Sequence, residues 1–230
     1  MAVYVTGDKH GEIEMSELTK RNRSVSLDDG DKLIIAGDFG LVWKEKSIKQ
    51  DHWRRWLNKS KWETLFVDGN HENFELLNKM PAEQRWGGDV GRVGEKIWHL
   101  KRGEIYNIEG IRILAMGGAS STDRSSRIQG MDWWPEEIPS HAEVSHCIDN
   151  IIDHDNDVDY VITHTCPMEV ADWLSGNFGW GKAEDPTTKM LSHIASIVSF
   201  KQWLFGHWHV PIIFGKYRCL YHDFARLNTK

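Results

Sequence analysis

Seven residues of this chain have side chains suited to divalent metal ions: Asp8, His10, Asp38, Asn70, His164, His207 and His209. They lie in five short motifs, G-D-K-H-G at Gly7–Gly11, G-D at Gly37–Asp38, G-N-H-E at Gly69–Glu72, T-H at Thr163–His164 and G-H-W-H at Gly206–His209. Carboxylate, amide and imidazole donors without thiolate suit first-row ions such as Mn, Fe, Zn or Ni. One carboxylate, with Asp38 the best placed, can bridge two such ions about 3.5–4 Å apart, and paired centres of this kind activate water and stabilise both oxygens of an in-line phosphoryl displacement. Two dications outweigh the two aspartates and a bridging hydroxide, so the site stays positive and attracts phosphate although the chain carries a net charge of −6. His71 follows Asn70 directly and so points beside the metals, where a protonated imidazole can donate to the leaving-group oxygen.

Each motif follows a short apolar run that reads as a β-strand: Val3–Val5, Leu33–Ala36, Leu65–Val67, Tyr160–Ile162 and Trp203–Phe205. Open α/β sheets bind ligands outside the carboxyl ends of their strands, so the motifs are expected to converge on one edge. The first eighty residues read as two βαβ units. Ser47 with Gln50 forms a capping box opening a helix that presents Ile48, His52, Trp56 and Leu57 on one face. Ser140 with Glu143 opens another, with Val144, Cys147, Ile148, Ile151 and Ile152 as its apolar stripe. Asp185–Pro186 starts a third, with Met190, Leu191, Ile194, Ile197 and Val198 inward. Two hairpins, turning at Glu109–Gly110 and Gly215–Lys216, predict a second sheet. The longest irregular stretches are Gly117–Pro139 and Ser175–Asp185, and loops of that length are usually functional or mobile.

At 230 residues the chain is expected to form a single domain spanning 1–230. Three widely spaced cysteines, Cys147, Cys166 and Cys219, supply neither a disulfide framework nor a C-x-x-C zinc site, which points to a reducing, cytoplasmic compartment. The N-terminus runs straight into a strand without room for a signal peptide, and no apolar run approaches the ~20 residues of a membrane span. The acidic balance disfavours a broad nucleic-acid surface, because non-specific affinity comes from Lys and Arg neutralising phosphates. Most of the twelve tryptophans are expected to pack in the core.

The five motifs, from Asp8 to His209, resemble the signature D-x-H, G-D, G-N-H-[DE], H and G-H-x-H of the calcineurin-like metallophosphoesterase superfamily. The resemblance implies an α/β (α+β) fold, a four-layer β-sandwich flanked by helices. It further implies that Asp8, His10, Asp38 and His209 hold one metal and Asp38, Asn70, His164 and His207 the other, with Asp38 bridging. Where protein phosphatases of the superfamily extend the second motif to G-D-x-V-D-R-G, this chain reads G-D-F-G-L-V-W, lacking the aspartate that orients the acid histidine and the arginine that grips phosphate. Many small phosphodiesterases of the superfamily carry cysteine where His71 stands. The segment Gly117–Arg127, ending at Trp133–Trp134, resembles one found in a poorly characterised bacterial and phage branch. Its Arg124 and Arg127 are candidates for the missing phosphate grip, as guanidinium binds phosphate bidentately, and the tryptophan pair could stack on a base.

The expectation is therefore a phosphoesterase with two divalent ions, Mn first among them, acting on a phosphomonoester or phosphodiester of a small molecule or nucleotide. In it a metal-bridging hydroxide attacks phosphorus and His71 assists the leaving group. The alternatives are a metal-dependent nuclease or nucleotide phosphodiesterase, and a non-catalytic metal-binding module of the same fold.

Overall fold

The computed structural model describes residues 1–179 and 185–229. Strands β1 (Val3–Thr6), β2 (Lys32–Ala36) and β3 (Glu63–Val67) are parallel neighbours. Helix α1 (Ile48–Asn58) makes the crossover from β2 to β3, whereas β1 reaches β2 through a loop holding a single 3₁₀ turn, Met15–Leu18. One of the two expected βαβ units thus has no α-helix. A one-turn α2 (Phe74–Leu77) leads to β4 (Ala82–Arg85), β5 (Gly88–Arg92) and β6 (Ile97–Leu100), then to the expected hairpin of β7 (Ile105–Ile108) and β8 (Ile111–Met116). Glu109 and Gly110 both take positive φ, 54° and 80°, the geometry of a two-residue hairpin turn.

After the long loop come α3 (His141–Asp153), β9 (Tyr160–Thr163), α4 (Met168–Phe178), α5 (Pro186–Ile197) and β10 (Gln202–Phe205). The chain closes with the second expected hairpin, β11 (Ile212–Phe214) and β12 (Tyr217–Cys219), and with β13 (Phe224–Leu227). Ser140 with Glu143 and Asp185 with Thr188 form reciprocal capping boxes at α3 and α5. Residues 175–178 complete α4, and Gly179 ends it with a left-handed φ of 71°, so this part of the expected irregular stretch is helical. Residues 180–184 of that stretch lie outside the described residues.

The strands form a seven-stranded sheet in the order β13-β1-β2-β3-β6-β5-β4 and a six-stranded sheet in the order β11-β12-β10-β9-β8-β7. Alternation along each strand decides what lies between them. Ile34, Ala36, Leu65 and Val67 face Ile113, Ala115 and Ile162 across the sandwich. Leu33, Ile35 and Phe66 turn the other way and pack under Met15, Leu18 and Leu57. On the outer face of the second sheet Val161, Trp203 and Phe205 meet Cys147, Ile151, Leu174 and Ile194 from α3, α4 and α5. The result is the expected four layers. No helix among the described residues is long and apolar enough to cross a membrane.

Candidate metal centre

The five motif segments leave β1, β2, β3, β9 and β10 at their carboxyl ends, so both sheets deliver side chains to one cleft. The motif glycines allow the segments to interlock. A Cβ on Gly37 would fall 1.9 Å from His164 Nδ1, and one on Gly206 would fall 1.9 Å from Asp8 Oδ1. Four of the candidate ligands themselves take left-handed backbone: His10, Asp38, His207 and His209, with φ of 38°, 47°, 64° and 49°. Non-glycine residues held there typically store about 1–3 kcal/mol each, and such strain clusters at functional sites.

All seven predicted ligands come together. His10 Nε2 lies 3.2 Å from Asp38 Oδ2, and His209 Nε2 lies 2.9 Å from Asp8 Oδ2. Deeper in the cleft, His164 Nδ1 donates to the Ala36 carbonyl at 3.0 Å, which turns Nε2 inward. That nitrogen meets Asn70 Oδ1 at 3.1 Å, His207 Nδ1 at 3.2 Å and Asp38 Oδ1 at 3.4 Å. Two oxygens without protons and two ring nitrogens thus converge with at most one proton among them, a donor set that fits a divalent cation. Among the described residues, carboxylate and imidazole donors group within reach of one ion in three sets: Asp8 with His10 and His209, Asp8 with Asp38 and His164, and His10 with Asp38 and His71.

The protonation balance expresses the same demand for positive charge. Burial works against a charged His10, yet hydrogen bonds to Asp38 and Glu14 raise it to about 10. Burial likewise opposes a charged His164, and Asp38 and Asp8 raise it to about 9. Asp38 is buried, which favours its neutral form, but His164 and His10 hold it well below the usual carboxylate range. His207, desolvated and beside His164, is pushed down to about 3.

His71 N donates to Asp38 Oδ1 at 2.8 Å, and its ring lies 5.4 Å from that of His10, beside the ligand cluster. Its Nδ1 is 3.3 Å from Arg127 Nη1. Because arginine only donates, Nδ1 accepts and the ring proton sits on Nε2. Burial lowers the His71 pKa, Asp38 opposes that, and Arg127 lowers it further. Where the second motif offers no aspartate, His71 Nδ1 thus meets Arg127, held in turn by Asp123 Oδ1 at 2.8 Å and the Asp132 carbonyl at 3.1 Å. Thr122, Asp123 and Arg127 wall the cleft of about 190 Å³ that the ligands line.

Arg124 has other partners. Its Nε lies 2.6 Å from Glu137 Oε1, its Nη2 donates to Ser120 Oγ at 2.7 Å, and its guanidinium covers the Trp133 ring at 5.2 Å. Trp134 is 5% exposed and meets Trp43 edge-on, so it packs beneath the loop instead of offering a face to a ligand.

Several residues outside the predicted set orient those within it. Glu14 Oε2 accepts from His10 Nδ1 at 2.5 Å, turning Nε2 toward the cluster, and Glu14 Oε1 accepts from Tyr221 Oη at 2.6 Å. Tyr221 stacks on His209 with centroids 4.7 Å apart. Asn70 Nδ2 donates to Ser121 Oγ at 3.2 Å, which donates to the buried Glu137 at 2.7 Å, and this aims the amide oxygen inward. Glu72, fully buried and pushed well above the usual carboxylate range by desolvation and by Asp38, accepts from Phe39 N at 2.7 Å. The i, i+4 spacing of His10 and Glu14 was a readable signal for the first of these.

A family model for calcineurin-like phosphoesterases matches residues 1–211. A lariat debranching enzyme of Schizosaccharomyces pombe is 28% identical over 148 residues, which cover 58% of this chain and 29% of that protein. The chain thus matches under a third of that relative's length. Among solved structures, Thermus thermophilus sulfate thiohydrolase SoxB, in complex with glycerol, covers 96% of this chain and 51% of its own at 11% identity. Its TM-score of 0.43 is too low for the likeness to bear on function.

Proposed function

Because the chain belongs to the calcineurin-like phosphoesterase family, we propose that it hydrolyses a phosphate ester of a small molecule or nucleotide with the help of two divalent ions, Mn first among them. The observation that carries this reading is the convergence of seven oxygen and nitrogen donors from five strand ends on one cleft. Asp8, His10, Asp38 and His209 would hold one ion, and Asp38, Asn70, His164 and His207 the other. When bound, the ions supply a water acidic enough to attack at neutral pH and neutralise charge on the phosphoryl oxygens.

The chain's own residues do the rest. Asp38 would be common to both ions, and the His71 amide, donating to its Oδ1, orients it. His71 presents Nε2–H at the cleft and assists the leaving oxygen by a hydrogen bond, with Nδ1 anchored on Arg127. The Arg127 guanidinium, a fork suited to phosphate oxygens, stands at the same wall. Three buried free thiols suit a reducing cytoplasm, and the whole 1–230 chain is read as one domain.

The test is hydrolysis of nitrophenyl, alkyl and nucleoside esters by chelated and by Mn-reconstituted protein. Chelation abolishes turnover and Mn restores it; full activity in metal-free protein overturns the mechanism. His71→Ala lowers alkyl and nucleoside ester hydrolysis by about 10²–10⁴-fold and nitrophenyl ester hydrolysis far less, since nitrophenolate leaves without acid help. A uniform loss at unchanged metal content assigns His71 to positioning instead.

A further inference from the structure

A second hollow, of about 280 Å³, adjoins the metal cleft and shares His10 and His71 with it. One wall is apolar, made by Trp43 and by Ile13, which is 76% exposed. Another carries hydrogen-bonding groups from Glu12, Lys44 and Ser47. A single exposed isoleucine is unremarkable on a protein surface. Trp43 is different, because the fold fixes it from three sides while leaving it partly open. Gln50 Oε1 accepts from the backbone N of Trp43 and of Lys44, both at 3.2 Å. Asn73 Nδ2 donates to the Trp43 carbonyl at 3.0 Å. Buried Trp134 meets the Trp43 ring edge-on at 5.3 Å and 88°.

We propose that this hollow receives the leaving group and that its occupant is a nucleoside, with the base against Trp43. This rests on the phosphoesterase reading above. A phosphate in the metal cleft with its ester oxygen at His71 sends the leaving group past His71, and the hollow is the space on that side. A rigid aromatic wall with hydrogen-bonding groups at its rim suits a heteroaromatic ring, which stacks by its face and bonds by its edge. Small-molecule sites run from about 300 to 1,000 Å³, so this hollow, just below that range, is of a size for a single nucleoside. Hydrolysis places a water oxygen on phosphorus, breaks the bond from phosphorus to the ester oxygen and releases the nucleoside as its alcohol. The proton released by the attacking water ends on that oxygen, which His71 Nε2–H stabilises by a hydrogen bond as the bond breaks.

The experiment compares nucleoside monophosphates and their methyl diesters with glycerol phosphate and its methyl diester, on Mn-loaded wild type, Trp43→Ala, Trp43→Phe and Ile13→Ser. Wild type prefers the nucleoside esters. Trp43→Ala lowers kcat/KM for them by roughly tenfold to hundredfold more than for the glycerol esters, the range expected for a lost base–aromatic stack. Trp43→Phe retains most of the preference. Ile13→Ser, at a position too exposed to matter for folding, weakens it in the same direction. An equal loss on both ester classes in both Trp43→Ala and Ile13→Ser overturns the assignment. Calorimetric titration with a nucleoside monophosphate separates the two readings. Binding that weakens in Trp43→Ala, with no ester turned over by wild type, sustains the hollow and sinks the hydrolase. Turnover without base preference does the reverse.

Discussion

Two buried aspartates stand at the ends of neighbouring strands and meet opposite fates. Asp38 follows β2, Asp68 follows β3, each is 1% exposed, and each is held below the usual carboxylate range against the effect of burial. Asp68 meets a permanent cation: Arg102 Nε donates to its Oδ2 at 2.8 Å, and His99 Nε2 lies 2.9 Å from Oδ1. Asp38 meets imidazoles from His10 and His164, whose nitrogens can take up a proton or bind a metal. A carboxylate taken from water needs positive charge nearby. Where the chain supplies that charge covalently, as at Asp68, the result is a strut behind the loop that carries Asn70. Where it supplies exchangeable lone pairs, as at Asp38, the result is a place for a metal ion.

Replacing each acid by its amide breaks the contrast in two directions. Asp38→Asn removes the charge common to both proposed ions and is expected to cost several kcal/mol of transition-state stabilisation, at least about 10³ in turnover. Metal analysis should show depleted protein, and wild-type metal content with wild-type turnover would show that the bridge is elsewhere. Asp68→Asn should keep its metal but leave the buried Arg102 guanidinium with only the more distant Glu143, 3.5 Å away, as counter-ion, at up to about 3–5 kcal/mol. In a chain of this length that lowers Tm by roughly 2–4 °C per kcal/mol. Since the folded pKa of Asp68 is depressed, its contribution is complete above about pH 4 and shrinks as pH falls toward the folded value. The stability gap between wild type and Asp68→Asn should therefore narrow in acid, and a gap independent of pH would assign the loss to packing alone. Glu14→Gln sharpens the comparison at lower cost, since it keeps every ligand and disturbs the orientation of His10 and of the Tyr221 ring stacked on His209. Metal affinity should fall about 10–100-fold by competition titration.

The site was legible in the sequence to the extent that its ligands sit at strand ends. Each motif follows a short apolar run, and runs of that kind are read from composition alone. What was not legible depended on polar residues serving the interior. In α1 the apolar spacing of Ile48, His52, Trp56 and Leu57 suggested an inward face, yet Ile48 is 86% exposed. Leu57 is buried and Trp56 packs on the core as expected, but Trp53 joins them and Gln50 is buried, because its amide is used to bond the Trp43–Lys44 backbone. Strand β4, Ala-Glu-Gln-Arg, lies at a sheet edge and has no apolar alternation to betray it. Its turn into β5 puts Trp86 at φ 54°, where the usual signal is asparagine or glycine. Glu137 lies far from any motif and reaches Asn70 only through Ser121, so nothing local announced it.

The left-handed backbone at His10, Asp38, His207 and His209 sets two demands against each other at single positions. At those four positions the residue best for the chemistry is not the residue best for the backbone, since glycine or asparagine would sit there with less strain. Substitution by glycine or asparagine there would relieve backbone strain while stranding the buried partners those side chains now hold, so the two effects oppose each other.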